Sequence, residues 1–143
     1  MTMRTFESNS LDQTARFAAE VAQLIVSGAC ITLEGDLGAG KTTFVRALVA
    51  ALGGEVNAVS SPTFMLLNIY PTPRMQVFHL DAYRVRGSED FESIGFSELL
   101  AENGLVIVEW ASRVMDLLPE ERFEIRITST GKNTRRFELK TPA

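Results

Sequence analysis

Eight residues in the first third of the chain constrain its fold more than any other feature. Positions 35–42 read Gly-Asp-Leu-Gly-Ala-Gly-Lys-Thr, between a short apolar run at 29–34 and an apolar-patterned segment at 42–52. The pattern G-x-x-x-x-G-K-[ST], placed between a strand and a helix, is typical of a phosphate-binding loop. The sequence therefore predicts an α/β unit with an anion-binding loop at a helix start.

The chemistry of phosphate explains the residue types in this loop. Gly35, Gly38 and Gly40 allow backbone angles and close approaches that a side chain would block, so that successive amides point at phosphate oxygens. The ammonium group of Lys41 is predicted to reach the β- and γ-phosphates, and the hydroxyl of Thr42 to bind Mg²⁺. As a loop lysine, Lys41 is expected to be exposed and to contribute little to the core.

Two acidic residues that end strand-like runs are candidates for the metal site. The run at 77–81 ends in Asp81, and the run at 105–109 ends in Glu109. The second run is the more typical of a central parallel strand, but spacing alone does not choose between the two acids. Neither side chain is expected to build the core. His79, the only histidine, fits a structural hydrogen-bonding role better than that of a base.

A short segment, Ser-Pro-Thr-Phe at 61–64, lies between the loop helix and the first of these acidic runs. Phosphate-loop proteins often place a γ-phosphate-sensing loop there, and the Thr63 hydroxyl is a candidate contact to Mg²⁺ or the γ-phosphate. The same segment also fits a simple proline turn before a strand. Trp110, the only tryptophan, follows the second acidic run and fits either the core or the site.

The remaining patterns indicate one α/β domain over residues 1–143. A first helix, capped by Ser10 with Gln13, is predicted to carry Leu11 on its apolar face and to end at Gly28. Ser88 is predicted to cap a short helix, and a second short helix is expected at 98–102. Hairpins are predicted for 64–70 with 74–80 and for 123–128 with 134–139. The fold class is a phosphate-loop NTPase-like domain with a mixed, mostly parallel sheet, flanked by helices and carrying antiparallel hairpins.

Composition excludes several classes of protein. The chain has 143 residues, a formal net charge of −4 and a single cysteine, so it forms no intrachain disulfide. No apolar run approaches the ~18 residues of a membrane span, and no secretory signal is recognisable, which favours a cytoplasmic protein without membrane contact. The basic cluster of Lys132, Arg135 and Arg136 is small and is interpreted as a solvated strand end. Autonomous nucleic-acid binding is therefore disfavoured.

Four motifs in order carry a resemblance to a known family. They are GDLGAGKTTFVRAL, SPTF, HLDAYR and VEW, and the similarity extends over essentially the whole chain, which resembles the TsaE (YjeE) family. These are small bacterial P-loop ATPases required for threonylcarbamoyladenosine formation at position 37 of tRNAs that read ANN codons. The resemblance implies ATP and Mg²⁺ as cofactors. It also implies TsaB and TsaD homologues as partners, with tRNA contacted only indirectly through their complex.

The resemblance also assigns residues. Residues 38–43 become the nucleotide loop, including Ala39 and Thr43, with Lys41 on phosphate. Glu109 joins Thr42 at the metal, and Asp81 belongs to the catalytic apparatus together with Thr63 in a switch-like loop. Trp110 packs beside the site. On looser local patterns, the residues that approach the nucleotide or border the adenine are Leu11, Arg113 and Lys132.

Two other functions fit a short chain with a phosphate loop. A small-molecule or nucleoside kinase is one, although its usual arginine-rich lid would be reduced here to the short stretch 84–86. A GTP-driven switch is the other, but the segment 132–134 does not supply an N-K-x-D-type guanine reader. No nucleophile with a neighbouring base and no second domain is recognisable, and no arginine finger in cis is evident beyond Arg84 and Arg113. These features favour a helper ATPase that is slow alone and depends on partners.

Overall fold

In a computed structural model, the described part of the chain forms seven strands and four short or medium helices. The structure describes residues 2–36, 38–55, 57, 59 and 67–142. The strands are β1 (Thr2–Ser8), β2 (Cys30–Glu34), β3 (Leu67–Tyr70), β4 (Val77–Asp81), β5 (Leu105–Glu109), β6 (Phe123–Ser129) and β7 (Arg135–Thr141). The helices are α1 (Leu11–Leu24), α2 (Lys41–Ala51), α3 (Ser88–Ser93) and α4 (Phe96–Leu100), with a 3₁₀ segment over Ala111–Leu117.

The strands form one mixed sheet in the order β1-β7-β6-β2-β5-β4-β3. The three central pairings, β6 with β2, β2 with β5 and β5 with β4, are parallel, and the outer pairings are antiparallel. Five strands therefore point the same way, and only β3 and β7 run against them. The predicted mixed, mostly parallel sheet with antiparallel hairpins is confirmed.

The central strand β5 shows why the parallel centre forms. All five of its residues are buried, as its uninterrupted apolar run predicted. Ile107 packs in a core with α1 and α2 on one face of the sheet, and Val106 and Val108 pack in a second core with α3, α4 and the 3₁₀ segment on the other. The sheet is thus covered on both faces at its centre.

Aromatic packing ties the first core together. The rings of Phe6, Phe44 and Phe137 lie with their centroids 5.2, 5.7 and 4.8 Å from that of Phe17. Because these side chains come from β1, α2, β7 and α1, one cluster joins both ends of the chain to the helix that follows the phosphate loop. Contacts of this kind add to the free energy of area burial.

Helix α1 differs from its prediction at both its face and its end. Ser10 caps it as predicted, because its side chain accepts a hydrogen bond from the Gln13 amide. Leu11 is exposed, however, and the helix stops at Leu24 rather than at Gly28. The guanidinium of Arg74 donates to the carbonyls of Ala22 and Ile25, which satisfies the carbonyls at the end of the helix. The buried face of α1 consists of Thr14, Phe17, Ala18, Val21 and Ala22.

Of the remaining local predictions, the two hairpins are confirmed and the cap of α3 is wrong. The two hairpins are present, as β3 with β4 and as β6 with β7. Ser88 does not cap α3; Gly87 holds the cap position, and the Ser88 hydroxyl donates to Asp116. The strand β1 and the 3₁₀ segment were not predicted. Within the described ranges, none of the helices is long and apolar enough to cross a bilayer.

Candidate functional site

The chain topology brings several loops to one edge of the sheet. Strands β1, β2, β4, β5 and β6 all end there, because their directions agree. The segment after β2 is the predicted phosphate loop, and it lies between the ends of β5 and β6. In open α/β sheets the carboxyl edge is where ligands bind, so the sequence-predicted residues meet at the expected place.

The phosphate loop has the backbone that its glycines predicted. Gly38 and Gly40 have φ values of +80° and +106°, in a region that side-chain-bearing residues rarely adopt. A Cβ atom on Gly35 would lie 2.7 Å from the carbonyl oxygen of Ile127 on β6. Gly35 is therefore required for the loop to pass the neighbouring strand, and the other two are required for its curvature.

Helix α2 starts directly from this loop with its positive end open. Gly40 is the N-cap, and no side chain caps the first turn. Unpaired amides at a helix start, together with the helix dipole, make an anion-binding position. Thr42 and Thr43, both predicted to contact the nucleotide, lie half-buried in this first turn.

The lysine of the motif is not an exposed loop residue, contrary to expectation. Lys41 is 6% exposed, its Nζ donates to the Gly35 carbonyl at 2.5 Å, and the same atom lies 4.1 Å from the centroid of the Trp110 ring. The ammonium thus rests on a carbonyl dipole and an aromatic face, since the described residues include no carboxylate paired with it. Phosphate oxygens are stronger partners for an ammonium than either contact.

Trp110 belongs to a row of rings at the mouth of the site. Its φ of 57° places it in the left-handed region, which is an outlier for a bulky residue. The Tyr83 ring lies 4.8 Å from it, and the Arg113 guanidinium lies 5.7 Å from the Tyr83 centroid. The structure thus places Trp110 beside Lys41, as predicted, and Arg113 at the far end of this row.

The two candidate acids are direct neighbours across β4 and β5. Asp81 and Glu109 are register partners, and Glu109 is also the partner of Leu33 on the strand that leads into the loop. Side chains in register on parallel strands share a face of the sheet, so both carboxyl groups lie on the face that carries α2. Both candidates therefore belong to one site.

Glu109 is held by a buried chain of hydrogen bonds. Its Oε2 lies 2.5 Å from His79 Nε2, and the Tyr70 hydroxyl lies 3.1 Å from His79 Nδ1. Asn68 donates to the Tyr70 hydroxyl, and at the other end of the chain Nε2–H donates to the Glu109 carboxylate, which can only accept. The structural role predicted for His79 is confirmed. The expectation that Glu109 lies outside the core is wrong, since the residue is 2% exposed.

Asp81 has a less favourable environment. Its Oδ1 accepts a hydrogen bond of 2.8 Å from the Tyr83 amide. Burial and, to a smaller extent, the neighbouring Glu109 raise its pKa above the ordinary value, and the Tyr83 amide, Lys41 and His79 offset part of the rise. An acid with a raised pKa beside a lysine and a second acid is a typical feature of functional sites.

A cleft of about 300 Å³ opens on the other side of the loop. It brings together four residues of the predicted nucleotide-binding set, namely Leu11, Gly40, Thr43 and Lys132. Phe137 forms part of its apolar lining, and Asn133 and Arg135 form part of its polar lining. Through Gly40 and Thr43 the cleft adjoins the start of α2. Arg113 is not among its lining residues.

Two features of the site were missed by the sequence analysis. Arg135, interpreted as a solvated strand end, donates through Nε to the Ala39 carbonyl at 2.9 Å. The alternation of β7 was the available signal, since it sends Arg135 and Arg136 to opposite faces of the sheet. The second missed feature is the partner of His79, which is Glu109. Finding it required the register between the two predicted strands. Thr63 lies outside the described residues.

The described residues fit a magnesium nucleotide. The open start of α2 and the glycine backbone suit phosphate, and the Thr42 hydroxyl with the carboxyl groups of Asp81 and Glu109 supplies the oxygen ligands that Mg²⁺ prefers. Among the residues that the structure describes, no group of three or more His, Cys, Asp or Glu side chains is arranged to hold an ion. The donor set thus suits a metal that arrives with phosphate oxygens.

Comparison with known proteins agrees with this architecture. The family model "Threonylcarbamoyl adenosine biosynthesis protein TsaE" matches residues 8–137. The tRNA threonylcarbamoyladenosine biosynthesis protein TsaE of Treponema pallidum is 41% identical over 132 residues, covering 92% of this chain and 96% of that protein. The protein of the same name from Rickettsia typhi is 36% identical, covering 92% of this chain and 91% of its own length.

A solved structure extends the agreement to three dimensions. The crystal structure of Bacillus subtilis YdiB matches with a TM-score of 0.79 and 27% identity, over 99% of this chain and 87% of that one. Fold and site thus define an α/β protein with a phosphate-loop motif at the carboxyl edge of its sheet. The chain belongs to the TsaE family of threonylcarbamoyladenosine biosynthesis proteins.

Proposed function

We propose that this chain binds ATP with Mg²⁺ and hydrolyses it to support threonylcarbamoyladenosine formation by a complex of TsaB and TsaD homologues. One observation carries the proposal. The loop with Lys41, the open start of α2 and the neighbouring acids Asp81 and Glu109 meet at one edge of the sheet, beside a cleft of nucleoside size. Family membership supplies the pathway.

The side chains divide the work of hydrolysis. Lys41 leaves the Gly35 carbonyl and the Trp110 ring to bind β- and γ-phosphate oxygens, while amides of residues 38–43 bind the remaining oxygens. Thr42 and Glu109 would hold Mg²⁺, which would supply positive charge that neutralises the phosphates. Asp81, with its raised pKa, orients the attacking water. Thr63 is assigned to the γ-phosphate by resemblance alone.

A slow basal rate of ATP hydrolysis is expected from the placement of the two candidate arginine fingers, Arg84 and Arg113. Arg84 is exposed, and Arg113 lies against Tyr83. Neither is drawn to the loop by a contact within the described part of the chain, and phosphoryl transfer is strongly accelerated by an arginine that reaches the transferred group. A partner that supplies or repositions such a charge would accelerate hydrolysis, so the ATPase is expected to depend on the TsaB–TsaD complex.

The test is a reconstituted modification reaction. TsaB and TsaD homologues, tRNA and the threonylcarbamoyl donor are combined with and without this chain, and modified tRNA per TsaD is counted by nucleoside chromatography. We expect several turnovers with the chain and about one without it. Equal turnover in both mixtures would refute the helper role. Hydrolysis that no partner alters, with ADP formed on addition of a small-molecule acceptor, would instead support a kinase.

A further inference from the structure

Arg135 makes an unusual set of contacts at the phosphate loop. It is the first residue of β7 and lines the cleft beside the loop. Its Nε donates to the Ala39 carbonyl at 2.9 Å, 96 positions earlier in the chain. Its Nη1 donates to the Thr134 carbonyl at 3.0 Å and lies 3.3 Å from the Ser129 hydroxyl and 3.4 Å from the Gly131 carbonyl. The guanidinium therefore joins the β6–β7 turn to the loop.

The charge of Arg135 has no acidic partner among the described residues. None of the ion pairs formed there includes it, and all its hydrogen-bond acceptors are carbonyls or a hydroxyl. The neighbouring Arg136, by contrast, pairs with Glu7 at 2.8 Å on an exposed surface. A partly buried guanidinium without a carboxylate, beside an anion-binding loop, leaves its positive charge available to an anionic ligand.

The contact with Ala39 also sets the direction of an amide. In a trans peptide the C=O and the following N–H point in opposite directions, and the described residues include no cis bond. A guanidinium that holds the Ala39 oxygen therefore aims the Gly40 N–H away from Arg135. Gly40 has a φ of +106°, so without this contact its glycine backbone would reorient at low cost.

We propose that Arg135 is a positioning residue for nucleotide binding: through the Ala39 carbonyl it orients the Gly40 amide toward the β-phosphate, and its charge raises phosphate affinity. The inference rests on the proposed function and deepens it, because it adds a residue from the last hairpin to the phosphate site. Preorganised donors bind an anion without the cost of ordering the loop at the moment of binding.

The experiment compares Arg135→Ala with Arg136→Ala, which removes the same charge from the opposite face of the same strand. Titration calorimetry measures the affinity for Mg-ADP, and competition by adenosine in the same assay measures the affinity for the nucleoside alone. Comparing the two separates phosphate binding from nucleoside binding. We expect Arg135→Ala to weaken ADP binding about tenfold, or about 1.4 kcal/mol, and adenosine binding by a smaller factor of at most about threefold, since Arg135 also lines the cleft. Arg136→Ala is expected to stay within about twofold of the wild type for both.

A conservative pair covers the case in which Arg135→Ala does not fold. Arg135→Lys keeps the charge but not the planar set of donors, so it should bind ADP about threefold more weakly than Arg136→Lys. Equal affinities in that pair, unchanged ADP affinity in Arg135→Ala, or equal losses of ADP and adenosine would overturn the positioning role while leaving the proposed function intact. A wild-type protein that binds no ADP would overturn both.

Discussion

The phosphate loop lies between two regions of opposite charge that are built in different ways. On one side is the acidic wall, which we define as Asp81 and Glu109 at the ends of β4 and β5. On the other is the basic wall, Lys132 and Arg135 on the β6–β7 hairpin. The acidic wall comes from adjacent central strands, and its Glu109 is buried and hydrogen-bonded. In the basic wall Lys132 is exposed and Arg135 is half-buried.

This difference indicates a division of labour. Central parallel strands are covered on both faces, so groups at their ends hold a fixed geometry suited to chemistry. A hairpin turn offers less rigid but accessible charges, which raise affinity for an anion. We therefore expect changes in the acidic wall to reduce turnover more than binding, and changes in the basic wall to do the reverse. Lys41 stands between the walls and should affect both.

The largest effect is expected for Lys41, which lies between the two walls. Lys41→Met keeps an unbranched chain over the Trp110 ring but loses the ammonium that the phosphates require. Losing a hydrogen bond to a charged ligand, at about 1.5–3 kcal/mol, predicts an ADP affinity lowered by about 10- to 150-fold, with hydrolysis lost as well. Calorimetry checks the affinity, and thermal unfolding checks the fold. Wild-type ADP affinity in a folded Lys41→Met would remove the loop from the site.

Glu109→Gln is the clearest test of whether the acidic wall affects turnover more than binding. The amide keeps an oxygen that accepts from His79 Nε2, so the buried chain of hydrogen bonds persists while the negative charge is lost. We expect hydrolysis with the reconstituted partners to fall about 100-fold and ATP affinity to change less than about threefold. Single-turnover kinetics and equilibrium binding measure the two effects. A loss of affinity with normal turnover would contradict the division of labour.

The parts of this fold that sequence predicts are those governed by local chemistry. The apolar run of β5 and the glycines of the loop each reflect a requirement at their own position, burial on two faces for one and unusual φ values for the other. The end of α1 does not, because it depends on Arg74, about fifty positions away. Strand β1 likewise forms through pairing with β7 at the other end of the chain.

The site divides in the same way. Lys41, Thr42 and the two acids could be proposed from the sequence because residue type and spacing match what phosphate and Mg²⁺ would need. The contact of Arg135 with the Ala39 carbonyl was not predicted, because it joins residues 96 positions apart, and the alternation of β7 shows only which face of the sheet Arg135 occupies. The buried state of Lys41 was also missed, because it depends on the close approach of Trp110 from the end of β5.

The smallest expected effect is a change in the free energy of unfolding when Asp81 of the acidic wall is replaced. Burial raises the pKa of Asp81, so the folded state holds this proton more tightly than the unfolded state. Stability therefore falls as the pH rises from the ordinary aspartate value, about 3.9, through the raised folded value, and stays lower above it. Asp81→Asn cannot ionise, yet its Oδ1 still accepts from the Tyr83 amide.

At pH 7 we accordingly expect Asp81→Asn to be more stable than the wild type by up to about 0.5 kcal/mol, with the gap closing as the pH approaches 4. Urea unfolding at several pH values measures the difference, and Lys132→Gln in the basic wall is the control, with no comparable trend. If the wild type is instead more stable than Asp81→Asn at pH 7, and the difference grows with pH, then the ionised Asp81 stabilises the folded state. The two walls would then still differ in position and hydrogen bonding, but ionised Asp81 would not reduce the stability of the folded state.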